Sequence, residues 1–354
     1  MSTVSHPTSP KMKIGRAISA AQPYLLATIA VVLLVVGLND PTFLEGPNLG
    51  NLLNSMSFVG FVVIGQTVLL LTGEFDLSVG AVSGLSAVVS AMVMENLGAP
   101  VVVGVLSCLV IGSLAGLING LVVERLGVPS FIATFGMASF ALGIALYLSH
   151  GEPIPMPEAL RAFGTFRLLP GQLGLSGMFI VFAFLAVVVG VVLRYTAVGR
   201  MVYATGGDRG AARAAGIPTG LVKIAGFTLT GLLAAIAGLL QAGEQSIALS
   251  TTGSSGVELL AISAALVGGV SILGGAGTIL GAFVGLFLLT SVKLGIVSMG
   301  IPINWQSMAV GVIIIGAIAL DFLVRGRGSG VRVGALSNVL ASVKRLSGRA
   351  SART

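Results

Sequence analysis

Charge is scarce in this chain: 12 acidic and 19 basic residues stand among 354, so only 9% are charged. Soluble domains carry roughly 25%, so no water-facing surface of ordinary size can be built, and a soluble enzyme is excluded. Cysteine is reduced to Cys108 inside an apolar run, which excludes a disulfide framework and any cysteine-based metal site. Histidine occurs only at His6 and His150, so no histidine cluster is available either. No glycine is followed by lysine anywhere, so the phosphate-binding loop GxxxxGK[ST] is missing and ATP is not hydrolysed by that route. No nucleophile with a neighbouring base is found, and neither a cofactor nor a metal is expected.

What is present is apolar. Hydrophobic residues make up 55%, the mean hydropathy is +1.05, and there are 51 glycines, about twice the usual share. Small residues let membrane helices approach closely, so the fold class is an all-α polytopic transmembrane bundle. Ten runs approach the ~20 residues needed to cross a bilayer. They cover 20–38, 52–71, 77–94, 101–123, 131–148, 176–193, 224–242, 259–273, 278–297 and 305–324. The eighth is Gly-rich and open to a re-entrant reading.

With the N-terminus inside, ten spans return the C-terminus to the same side, so both termini are expected to be cytoplasmic. Lys11, Lys13, Arg16, Arg125, Arg194, Arg200, Arg209, Arg213, Lys223 and the seven bases from 325 to 353 then lie inside. Only Arg161 and Arg167 fall outside, as the positive-inside rule requires. The net charge of +7 is thus an orientation signal rather than a nucleic-acid surface. No small-x-small cleavage site follows the first run, which reads as a retained anchor. Residues 1–19 form an N-terminal tail, 20–324 one membrane domain with an inside loop at 194–223, and 325–354 a basic C-terminal tail.

Three polar interruptions carry the functional signal. In Thr72-Gly73-Glu74-Phe75-Asp76-Leu77-Ser78 two carboxylates lie between the second and third runs. Asp76 is placed to cap the next helix through the N–H of Ser78 or Val79, or to mark a break used in transport. In 256–277 Glu258 heads a stretch ending Gly268-Gly269-Val270-Ser271-Ile272-Leu273-Gly274-Gly275-Ala276-Gly277. So many glycines bend a helix or pack it tightly, and irregular backbone survives in lipid only where protein or a cavity covers it. Glu258 favours the positive end of a helix or belongs to a path. In the inside loop, Asp208 caps and Gly216 with Pro218 stops a short Ala/Arg helix over 209–215. Such a loop orients the chain, or offers a surface for another protein. Lys293 and Asp321, near the ends of their runs, are expected to reach toward the interfaces.

These residues resemble a known family, the membrane permease subunits of ribose-type bacterial ABC importers for monosaccharides. GEFDLSVG at 73–80, PSFIATFGM at 129–137, GRMVYATGGDRGAARAAGI at 199–217 and GVELLAISAALVGGVSILGGAG at 256–277 follow its motifs in order. The resemblance implies an inner-membrane permease that pairs with a second permease subunit in a homodimer. It also implies docking on a cytoplasmic ATP-binding cassette ATPase and receipt of a pentose or hexose from a periplasmic or extracellular binding protein. It assigns Gly199, Arg200, Tyr203, Gly207, Asp208, Ala211, Ala212, Arg213, Gly216 and Ile217 to the ATPase-coupling loop. Asp76, Ser78, Ser83, Ser86, Glu258, Ser263 and Ser271 become candidates for the translocation path, lined by the second, third, eighth and ninth runs. Asp208 replaces a usual Asn, Leu260 a common Asp, and Lys293 falls where Asn-Asn-Gly-Leu is frequent, which leaves the sugar open. Related permeases for a furanosyl signal molecule or branched-chain amino acids are alternatives within the superfamily. An ion-coupled secondary transporter is the rival outside it, although most runs lack a central acid. A membrane-embedded enzyme lacks any supporting constellation.

Overall fold

The computed structural model describes residues 27–253 and 256–302, with isolated positions 305, 308, 311 and 312 beyond them. The expected tails at 1–19 and 325–354, the start of the first run, most of the tenth and Asp321 lie outside the described residues. Helix α1 covers Ala27–Asn39. A 3-10 turn at Pro41–Leu44 leads into α2, Gly46–Ser55, and α3, Ser57–Leu71. There follow α4 (Val79–Glu95), α5 (Val101–Arg125), α6 (Ser130–Ser149), the short α7 (Glu158–Thr165) and α8 (Gly177–Tyr195). Next come α9 (Ala197–Gly207) and α10 (Arg209–Ala214), and α11 (Thr219–Gln245), α12 (Val257–Val267) and α13 (Ile279–Ser298) follow.

The expected helical bundle is found, with differences in how the runs are divided. Among the described residues five helices, α5, α6, α8, α11 and α13, are long and apolar enough to cross a membrane, and α2 with α3 adds a sixth if the bent pair is one span. The run expected at 52–71 is not one straight helix, because α2 and α3 meet at 45°. Two hydroxyls cause the bend: Ser55 donates to the Leu52 carbonyl and Ser57 to that of Leu53, competing with the backbone ladder. The run expected at 259–273 is helical only to Val267, where Gly268 and Gly269, the latter at φ +87°, end it. Eleven residues rise about 16 Å, half the hydrocarbon thickness, so α12 does not cross alone.

Burial sorts the helices into a centre and a rim. Nearly every residue of α3 is buried, as an all-round apolar helix requires. Half of α11 and of α13 is buried, against 17% of α6 and 22% of α8. The rim turns Phe131, Phe135, Phe140, Phe184 and Val187 outward, where lipid rather than water is the solvent. Lys293 is exposed on α13, toward its last turns.

Helix α5 is fastened to α11 by glycines four residues apart, which share one helix face. Gly112 lies on the Gly231 carbonyl, Gly116 on Phe227 and Thr228, and Gly120 on Ile224. A Cβ at Gly116 would stand 2.9 Å from both the Phe227 carbonyl carbon and the Thr228 Cα, and one at Gly120 would stand 2.8 Å from the Ile224 Cα. These are backbone atoms that cannot turn aside, so the two helices form one stiff unit.

Two antiparallel ribbons tie the opposite end together. Strand β1 (Ile154–Pro155) pairs with β4 (Ile247–Ala248), and β2 (Arg167–Leu168) with β3 (Leu175–Ser176). Arg167 adds a 2.9 Å ion pair to Glu244 at the end of α11.

Gly116→Ala should therefore lower stability by about 1–3 kcal/mol, the usual cost of overpacking. Gly136→Ala, where an added Cβ meets nothing within 4 Å, should be neutral or slightly stabilising. Thermal melting of the two purified variants in detergent checks this, and equal melting points would contradict the close approach.

Candidate functional site

Between α3 and α4 the chain turns back into the bundle without helical hydrogen bonds. Gly73, at φ +82°, makes the reversal possible. The extended segment then rises beside α3 until Asp76 meets Gln66, five residues or about 7.5 Å before the end of that helix. A bare peptide group there would cost several kcal/mol, and the side chains of two helices supply the missing partners. The Gln66 amide acts as a substitute strand: its Nε2 donates to the Asp76 carbonyl, and its Oε1 accepts the Asp76 N–H at 3.2 Å. Thr134 of α6 accepts the Leu77 N–H at 3.0 Å.

The Asp76 carboxylate is buried and fully engaged. Oδ1 accepts the Ser78 N–H at 2.7 Å and the Ser78 hydroxyl at 2.6 Å, while Oδ2 accepts Asn119 Nδ2 of α5 at 3.2 Å. Asn119 also donates to Ser78 Oγ at 2.9 Å. The expected bond from the Ser78 N–H to Asp76 forms, but Ser78 itself is the N-cap of α4 and no side chain caps the first turn, so the acid fixes the turn before the helix and ties it to α5. At the foot of the same segment Glu74 pairs with Lys223 of α11 at 2.6 Å, with side chains only 15% and 8% exposed.

The second break comes to the first. After β4, residues 249–253 dip toward the start of α4, where Gly253 at φ +78° lies against Gly80. Ser83 donates to the Gly80 carbonyl at 2.7 Å and to the Thr252 carbonyl at 3.2 Å. Glu258 stands in the first turn of α12, half-buried, and a Cβ on Gly80 would lie 3.1 Å from its Oε2. The starts of α4 and α12 therefore meet inside the bundle, with Asp76 and Glu258 beside them. Among the other path candidates, the Ser86 hydroxyl is buried without a partner among the described residues. Ser263 donates to the Leu259 carbonyl at 2.5 Å. Ser271 lies apart from these, in the glycine loop after α12, where its Oγ accepts the Leu273 N–H at 3.2 Å.

The stretch between α8 and α11 holds two short helices rather than one. Thr196 caps α9 and Asp208 caps α10, accepting the Ala211 N–H at 3.0 Å. Gly216, at φ +81°, ends α10, and the Ile217 N–H closes the turn on the Ala212 carbonyl at 3.0 Å. Gly199 sits buried against Leu193 at the turn from α8, while Arg200 and Gly207 are exposed. Ala212 faces the body of the protein, whereas Gly210, Ala211, Ala214 and Ala215 face outward. Tyr203 points inward, and its hydroxyl donates to the Gly277 carbonyl at 2.8 Å. Burial pushes that phenol up, so it remains a donor at neutral pH. Arg209 binds both Glu124 oxygens at the end of α5, and Arg213 reaches Glu124 at 3.5 Å and Thr219 Oγ1 at 3.0 Å.

Gln66, Asn119, Thr134 and Glu124 were not singled out by sequence reasoning, and Glu74 and Lys223 were noted without being paired. The first two carried a usable signal, a lone amide in an otherwise apolar run, which lipid does not tolerate without a partner.

Residues 48–318 match the model of the branched-chain amino acid transport system / permease component family. The chain is 34% identical over 301 residues to the autoinducer 2 import system permease protein LsrC of Enterobacter sp., covering 85% of this chain and 86% of that one. The protein of the same name from Salmonella typhimurium is 34% identical, with 84% and 85% covered, and that from Yersinia enterocolitica 33%, with 85% and 82% covered. No solved structure matches.

The network around Asp76 makes a specific forecast. Asp76→Asn turns an amide toward the Asn119 donor and should destabilise by about 1–3 kcal/mol. Asn119→Asp alone sets two carboxylates together and should be worse. The double variant restores a donor facing an acceptor and should recover most of the loss, as read by thermal melting. A double variant no better than the worse single would show that the two side chains are not paired.

Proposed function

The chain belongs to the branched-chain amino acid transport system / permease component family and is a multi-pass inner-membrane permease of an ABC import system, and we propose that its cargo is a small sugar-like solute. Four ordered motifs resembling monosaccharide permeases support a pentose or hexose. The LsrC relatives are named for autoinducer 2 import, which favours the signal-molecule reading, the second within the same superfamily. Selectivity rests with an external binding protein, because single sugars are weakly held by the few polar groups a permease offers.

The observation that carries the energetics is the segment 196–217, whose capped α10 turns Gly210, Ala211, Ala214 and Ala215 outward while Arg209 is held against Glu124 of α5. A small, rigid, exposed helix end suits docking on a separate ATPase, and the chain has no phosphate-binding loop of its own. Both termini lie inside, the full chain makes about ten spans, and two permeases form a homodimer. Import should occur in proteoliposomes supplied with ATP, the partner ATPase and the binding protein, and stop when ATP is withheld. Uptake driven by a proton or sodium gradient without ATP would replace this reading with that of a secondary transporter.

The path runs beside α3, α4, α12 and α13, the helices adjoining the two breaks. Ser83, Ser86, Ser263 and Ser271 are all buried here, which fits a closed state. Cysteines at these four positions in a Cys108→Ala background should be inert to a small water-soluble thiol reagent at rest and react during ATP turnover. If they stay inert while positions on α1 and α8 react, the path lies elsewhere.

A further inference from the structure

The segment proposed to dock on the ATPase holds the bundle at two separate places, one through each of its short helices. Helix α9 grips the glycine loop after α12. The Tyr203 hydroxyl donates to the Gly277 carbonyl at 2.8 Å, and a Cβ on Gly206 would stand 2.8 Å from the Gly275 nitrogen. Gly275 in turn donates to the Leu71 carbonyl at 2.9 Å, so this grip also reaches the end of α3. Helix α10 grips α5 instead. Arg209 binds Glu124, whose side chain is 11% exposed and therefore weakly screened by salt. Five residues deeper on α5, Asn119 binds Asp76 and Ser78 at the first break. The glycine contacts make α5 and α11 one stiff unit, so a displacement of Glu124 is delivered to Asn119 rather than absorbed. Between the two grips lies Asp208, extended at φ −159°, preceded by Gly207, where an added Cβ would meet nothing within 4 Å. Packing leaves this point free to bend.

We propose that Tyr203 and Glu124 are the positioning residues through which the docking segment moves the two breaks by independent routes, α9 acting on the 268–277 loop and α10 acting through α5 on the start of α4. The proposal rests on the reading that this segment docks an ATPase. Neither side chain belongs to the outward face of α10, so their removal should alter coupling and not recruitment.

The test uses the full-length permease reconstituted with its ATPase and binding protein, and reads solute imported per ATP hydrolysed together with the amount of ATPase that co-purifies. Tyr203→Phe removes one oxygen and Glu124→Gln one charge. Each should lower the ratio by about threefold or more, as loss of a single polar contact allows, with recovery of the ATPase unchanged. Glu124→Asp, which keeps the charge with a shorter reach, should fall between Gln and the native residue. Because the routes are separate, the double variant should show the product of the two losses. Wild-type ratios in both single variants would overturn the proposal, as would a double variant no worse than the worse single, or a fall in ATPase recovery. Absence of ATP-coupled import in the native protein would instead overturn the transport reading itself.

Discussion

A peptide group inside an apolar bundle must find its hydrogen bonds in the protein, and the centre of this molecule is arranged around two stretches of chain that have no helix to supply them. The extended residues before α4 survive because Gln66, Thr134 and Asn119 reach them from three different helices. Each of these polar side chains would itself be costly in an apolar setting. Paired with the break, they cancel that cost and fix its position to a single register. Asp76 completes the arrangement by taking up the Ser78 N–H, hydroxyl and Asn119 amide together.

Such a centre requires neighbours that hold their distance, and glycine provides them. The stripe on α5 brings its backbone onto that of α11, and Gly80 and Gly253 do the same for the starts of α4 and the loop before α12. Close backbone contact trades side-chain burial for rigidity. It leaves the bulky apolar residues of α6 and α8 to face lipid, which explains a rim that would be insoluble in water.

The basic segment between α8 and α11 carries charge that is in part structural, because Arg209 and Arg213 are held by Glu124. The alanines and Gly210 of α10 are left exposed between them, a surface with little entropy to lose on contact. The transport reading draws on this division of labour, in which Arg209 holds the segment to α5 and small residues face outward to meet a partner.

Membrane character, helical class and the capped helix near 209–215 were legible in the sequence, because each depends on local composition: apolar length, glycine content, and an Asp–Gly–Pro pattern that acts within a few residues. The bond from Ser78 to Asp76 was legible for the same reason, since its acceptor and donor lie two residues apart. The bend at Met56 and the early end of α12 were not, because an apolar run reads alike whether straight, bent or cut short. Gln66 with Asp76, Asn119 with Asp76, Glu124 with Arg209, and Lys223 with Glu74 span up to 149 residues. The sequence by itself determined that two breaks exist and that polar groups must cover them. Only the tertiary structure decided which side chains do so and that the breaks meet, because hydrogen bonds between distant segments depend on how helices pack, and packing is set by the whole bundle at once.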